Sequence, residues 1–162
     1  MIIFLKSSIY QFQQYKLLAE KAFNQLSEKY FYKIPNEESN SIAVIIQHMA
    51  GNMISRWTDF LTTDGEKLNR NRDEEFDEHH FSKEKLIVKW EAGWTCLFDA
   101  LNSLTENDLE KIIYIRQQPC TVIEAVHRQL THYSYHVGQI VYIAKMLQGA
   151  EWKNLSIPKK KN

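Results

Sequence analysis

Apolar residues recur at helical spacing in four long stretches of this chain, and polar runs separate them. The first stretch predicts a helix over about residues 8–30, with Tyr10, Phe12, Leu17, Leu18, Ala22, Phe23 and Leu26 on one broad face. Residues 33–40, with Pro35 and several Asn, Glu and Ser, read as a loop. The second helix starts at Ser41, whose hydroxyl suits an N-cap, and its stripe runs through Ile42, Ile45, Ile46, Met49, Met53, Trp57 and Phe60. Thr62-Thr63-Asp64-Gly65 ends it. Residues 66–81 are charged, Asn-rich and weakly periodic, so a long irregular loop is expected between helices two and three.

The third helix is capped by Ser82 and carries Leu86, Ile87, Trp90, Trp94, Leu97, Phe98 and Leu101. Thr105-Glu106-Asn107-Asp108 reads as an acidic cap on a short turn. Ile112-Ile113-Tyr114-Ile115 reads as a brief extended piece, broken by Gln117-Gln118-Pro119. Thr121-Val122-Ile123-Glu124 has the form of a capping box and opens a last helix that runs to about residue 148, with Gly149 as its C-cap. The expected fold class is all-α, a four-helix bundle. Residues 1–150 form a single helical-bundle domain and 151–162 a polar C-terminal tail.

Composition narrows the function classes. Lys plus Arg is 20 and Asp plus Glu is 20, so no charge excess points to nucleic acid or to an acidic membrane surface. The Lys159-Lys160-Lys161 run is the one basic cluster, read as solvated. Cys96 and Cys120 are too few for a disulfide framework, so buried thiols in a reducing compartment are expected. The opening Met1-Ile2-Ile3-Phe4-Leu5 is too short for a secretory core, and no apolar run approaches a membrane span. The expected location is the cytoplasm.

The candidate chemistry lies in histidines. His132 and His136 are four residues apart and therefore on one face of the last helix, where both imidazoles can reach one cation. Ala125, Gln129, Gln139 and Ile143 share that face. His48 sits on helix two. If those helices pack together, three neutral imidazoles converge and leave a coordination position open. The plainer alternative is a pair of core-edge histidines that bond neighbouring carbonyls.

On helix two, His48, Asn52, Ser55 and Asp59 are spaced 4, 3 and 4 and line one face, with Arg56 nearby. Asn52, Arg56 and Asp59 are candidate substrate-binding residues. Capping, surface pairing or support of the ligands are their alternatives. His127 is rotated off the ligand face, and His79 and His80 fall in the irregular loop. The zinc-protease pattern requires Glu directly after the first histidine; Tyr133 occupies that place. Neither a Gly-rich phosphate loop nor a Ser elbow is present.

The stretch Ser41-Ile42-Ala43-Val44-Ile45-Ile46-Gln47-His48-Met49-Ala50-Gly51-Asn52, together with His132-x-x-x-His136-Val137-Gly138-Gln139-Ile140, resembles the DinB/YfiT-like superfamily. The phrases 35–43 and 56–67 are similar to an uncharacterised subfamily within it. The resemblance covers about residues 8–150. It implies a four-helix bundle in which His48, His132 and His136 bind a divalent metal, zinc or nickel, and it implies a homodimer. Some relatives transfer low-molecular-weight thiols such as bacillithiol or mycothiol to electrophiles.

The leading expectation is accordingly a metal-dependent thiol transferase acting on an electrophilic small molecule. One alternative is a hydrolase that uses metal-bound hydroxide, with Asp59 or Glu124 as its acid or base. The other is a non-catalytic metal- or ligand-binding bundle.

Overall fold

The computed structural model describes residues 3–77 and 81–157. Four helices dominate: α1 (Ile3–Phe23), α2 (Ile42–Trp57), α3 (Lys83–Ser103) and α4 (Val122–Gln148). α2 packs along α3 and α1 along α4, while α2–α4 and α1–α3 contacts close the bundle. Two of the three helix pairs adjacent in sequence, α1 with α2 and α3 with α4, therefore lie across its diagonals, while α2 and α3 are neighbours. The long connections before α2 and α4 make that crossing possible.

The predicted caps hold three of these helices at their starts. The Ser41 hydroxyl accepts from Val44 N–H at 3.2 Å and the Ser82 hydroxyl from Lys85 N–H at 3.4 Å. Thr121 and Glu124 form the reciprocal box, with Thr121 N–H donating to Glu124 Oε2 at 2.7 Å and Glu124 N–H to Thr121 Oγ1 at 3.2 Å. Gly149 ends α4 at φ 57°, a backbone that costs glycine little.

Two boundaries differ from the periodicity. α1 covers Ile3–Phe23 instead of residues 8–30. At its start, burial of Leu5 draws the apolar opening into the helix. At its end, Gln25 and Leu26 N–H bond three residues back, tightening the chain, and a 3-10 turn follows at Glu28–Tyr30. That turn carries Leu26 and Phe31 into the core. α2 stops at Trp57, and Phe60 is buried beyond it from a turn.

The extended piece is one arm of a hairpin. β1 (Ile112–Ile115) pairs antiparallel with β2 (Gln118–Thr121), and Tyr114 lies opposite Pro119. Pro119 was expected to break the strand; a two-stranded ribbon has a free edge along each strand and tolerates it. The turn residues Arg116 and Gln117 both have positive φ, 54° and 62°, the twist a two-residue hairpin favours.

The core fills the space between the layers with Phe12, Phe23, Phe31, Trp57, Trp90, Trp94 and Tyr133. α2 is its most enclosed element, with every residue from 41 to 50 buried. A 3-10 turn at Asp73–Phe76, inside the loop read as irregular, packs onto α2 and closes over part of its polar line. The tail begins against the body: Trp152 and Leu155 pack on the core, and the Gln25 side chain bonds the Lys153 backbone twice. Among the described residues no helix is long and apolar enough to cross a membrane.

Candidate metal centre

α2 and α4 run antiparallel and meet in layers. In the first layer His48, His132 and His136 converge. The Nε2 atoms of His48 and His136 lie 3.4 Å and 3.2 Å from that of His132. Ligand atoms of all three lie within 4.8 Å of one another. A tetrahedral ion with bonds of 2.0–2.1 Å places its ligands about 3.3–3.4 Å apart, so this spacing suits one shared cation.

The outer nitrogens are engaged. His48 Nδ1 lies 3.1 Å from Glu75 Oε2, and His136 Nδ1 lies 2.8 Å from Gln139 Oε1. A carboxylate and an amide oxygen only accept, so each holds a proton on Nδ1 and leaves the Nε2 lone pair facing the centre. His132 Nδ1 lies 2.8 Å from Gln129 Nε2, a donor, so in this orientation His132 Nδ1 accepts; turning the Gln129 amide to present its oxygen is what would place the proton on Nδ1 and free Nε2 for an ion.

Burial pushes His132 down to about 3, helped by the neighbouring His136, His48, Arg56 and Arg70. Burial likewise pushes His136 down to about 4. Both rings are therefore neutral at pH 7 and free to bind a cation. For Glu75, burial acts upward, but hydrogen bonds from His48 and Arg70 hold it below the usual carboxylate range.

The second layer braces the first. Asn52 Oδ1 accepts from Gln129 Nε2 at 3.0 Å and from the buried Tyr133 hydroxyl at 3.1 Å. Ser55, next along the line, accepts from Lys67 N–H at 3.0 Å and donates to Gly65 O, which ties down the loop. Arg56 is buried in the third layer. Beside these layers opens a cavity of about 350 Å³, lined by His48, Asn52, Arg56, Gln129, His132 and several further arginines.

The structure thus brings together His48, His132, His136, Asn52 and Arg56. Asp59 is not with them. The 4-3-4 spacing presumes that the helix continues, whereas α2 ends at Trp57 and Asp59 turns out at φ 47°, exposed and away from the cavity lining. Glu124 is spent in the α4 capping box, so it too is absent from the centre. His127 meets Phe4 edge-on, off the ligand face. His79, His80 and the Lys159–Lys161 run lie outside the described residues.

Glu75 is the residue that sequence reasoning missed, because a loop delivers it. Gly51 makes room for it: a Cβ there would stand 2.7 Å from the Glu75 carboxyl carbon. Gly51→Ala is therefore expected to separate binding from stability. It gains about 1 kcal/mol of helix propensity, yet displaces Glu75 from His48 and lowers metal affinity about tenfold, the scale for losing such a partner. Competition against a chromophoric chelator, beside a melting curve, checks both.

The chain belongs to the family described as "Protein of unknown function (DUF1572)", whose model matches residues 2–161. Among solved structures it is similar to one described as "YfiT from Bacillus subtilis is a probable metal-dependent hydrolase with an unusual four-helix bundle topology". The two share 12% identity over 88% of this chain and 87% of that one, with a TM-score of 0.69. That likeness establishes the DinB/YfiT-like four-helix bundle fold. No curated protein matches the chain.

Proposed function

We propose that this member of the DUF1572 family is a divalent-metal enzyme that transfers a low-molecular-weight thiol to an electrophilic small molecule. The supporting observation is the convergence of three imidazole nitrogens beside an open cavity. His48, His132 and His136 would hold the ion. Zinc suits their spacing; nickel is the alternative, since imidazole serves both. When bound, such an ion supplies acidity: a coordinated thiol is deprotonated outright, and the pKa of coordinated water falls to about 7.

The chain's own residues orient and enclose. Glu75 and Gln139 fix two rings by their outer nitrogens, and the Asn52–Gln129–Tyr133 layer fixes the third. Thiol chemistry is favoured over hydrolysis by the state of Glu75. It is the carboxylate described against the triad, and it is already shared between His48 and Arg70. Among the described residues, no carboxylate bonded to the triad is left free to take a proton from water. A thiol bound at a cation does not need that base. Hydrolysis is the second reading, favoured by the description of the YfiT structure. A cytoplasmic homodimer completes the proposal, and the unpaired Cys96 and Cys120 suit a reducing compartment.

The test follows thiol loss. Zinc-loaded protein is expected to deplete a small thiol such as cysteine in the presence of a bimane electrophile that fluoresces on capture, and metal-stripped protein is not. Ester turnover without thiol would support the hydrolase instead. Inactivity in both assays, with a large metal-dependent rise in Tm, would leave a binding bundle.

A further inference from the structure

The cavity beside the triad carries a charge imbalance that metal binding does not explain. Five arginines line it: Arg56, Arg70, Arg72, Arg116 and Arg128. Two of the carboxylates that answer them are shared. Glu66 is approached by Arg56 at 3.8 Å, by Arg70 at 3.0 Å and by Arg116 at 3.1 Å. Glu75 already serves Arg70 and His48. Arg72 reaches Asp73 at 3.9 Å, where that carboxylate is almost fully exposed. The Arg128 side chain has no ion pair or hydrogen bond among the described residues.

Arg56 is the decisive member. It is only 5% exposed, and its Nε and Nη1 find no hydrogen-bond partner among the described residues. Its ion pair to Glu66, the one it makes among the described residues, is long. A buried guanidinium so poorly compensated is expensive to keep, and a fold retains one where something else supplies the negative charge. Burial, together with Arg128 and Arg70 nearby, pulls its pKa below the usual arginine value. The side chain also has a passage made for it: a Cβ on Gly65 would stand 2.8 Å from Arg56 Cδ.

Position supplies the rest. Arg56 lies eight residues beyond His48 on α2, about 12 Å along the helix, and Arg128 one turn before His132 on α4, about 6 Å. Because the helices are antiparallel, both displacements lead to the same end of the cavity.

We propose that Arg56 and Arg128 form an anion subsite that holds the carboxylate or phosphate group of a small molecule whose other end reaches the histidine triad. The reach to the triad rests on the metal-enzyme reading; the subsite itself does not. Guanidinium pairs oxyanions through paired N–H donors, which a lysine would not reproduce. A cavity of about 350 Å³ admits a small metabolite and excludes a macromolecule.

Calorimetric titration of the full chain, metal-free and zinc-loaded, tests this with succinate, inorganic phosphate and the uncharged diamide of succinate. Saturable binding of succinate or phosphate, weakened by salt and absent for the diamide, is expected in both metal states. The tighter of the two anions identifies a carboxylate or a phosphate ligand. Arg56→Gln and Arg128→Gln are each expected to weaken binding by about tenfold or more, the loss for a charge-assisted hydrogen bond. Arg128 is exposed, so Arg128→Gln keeps the fold even if Arg56→Gln does not. Absence of anion binding by the unaltered protein, or undiminished binding by Arg128→Gln at an unchanged Tm, overturns the subsite. Anion binding without thiol transfer would leave the subsite standing and remove the reaction; the converse would do the reverse.

Discussion

Replacing His132 with alanine is expected to release the divalent ion and weaken its binding by far more than about 100-fold, the upper range for losing a mere supporting partner. His132 is the middle ligand, with the Nε2 atoms of both other histidines within 3.4 Å of its own. Its removal leaves a pair drawn from two different helices, without the third point that closes the site. The fold is expected to persist, because the ring sits half-buried at the edge of the core and its replacement opens toward the cavity. Elemental analysis of protein purified without a histidine tag gives the stoichiometry, and chelator competition gives the affinity. Metal retained at full occupancy in His132→Ala would reject the triad.

The largest loss of stability is expected from Trp94→Ala, about 3–5 kcal/mol. Trp94 is fully buried and touches Phe12, Trp90, Phe98 and Tyr133, with ring centroids 5.4–6.3 Å apart. Rigid helices surround it on several sides, so the space would collapse only in part. Its indole N–H has no hydrogen-bond partner among the described residues, so Trp94→Phe gives up packing but also removes a buried donor and should cost far less. Denaturant titration of both variants separates the two contributions. Equal losses would show that the ring's aromatic neighbours do not set the cost. Tyr133, which braces Asn52, loses its wall in the alanine variant, so metal affinity is expected to fall with stability.

Most of the architecture was legible because local signals agreed with it. Ser41, Ser82 and Thr121 cap the helices they were read to cap, and the apolar stripes of α2 and α3 lie mostly in the core. The end of α1 was hidden, since residues 24–30 keep apolar side chains at helical spacing and contain no breaker; tertiary demand for Leu26 and Phe31 turns the chain. The hairpin was half-hidden. Its turn uses Arg116 and Gln117 at positive φ, where glycine or asparagine would have announced it.

At the site, the triad was legible from one pair four residues apart and one histidine on a second apolar helix. Gln129 and Gln139 were already on the ligand face, three residues before His132 and three after His136. That is the spacing at which a side chain reaches the ring beside it. Glu75 was not legible. Its contact with His48 depends on the path of a loop, and periodicity carries no information about such a path. Asp59 misled for the opposite reason: helical spacing was extended two residues past the point where the helix stops.

The loop that carries Glu75 has a thermodynamic consequence. Glu75 bonds His48 on one side and Arg70 on the other, and Arg70 in turn bonds Glu66, whose carboxylate steadies Arg116 on the hairpin. Docking of this segment and occupancy of the histidine centre are thus linked equilibria. By reciprocity, whatever free energy the seated segment lends to ion capture, the captured ion returns to the segment.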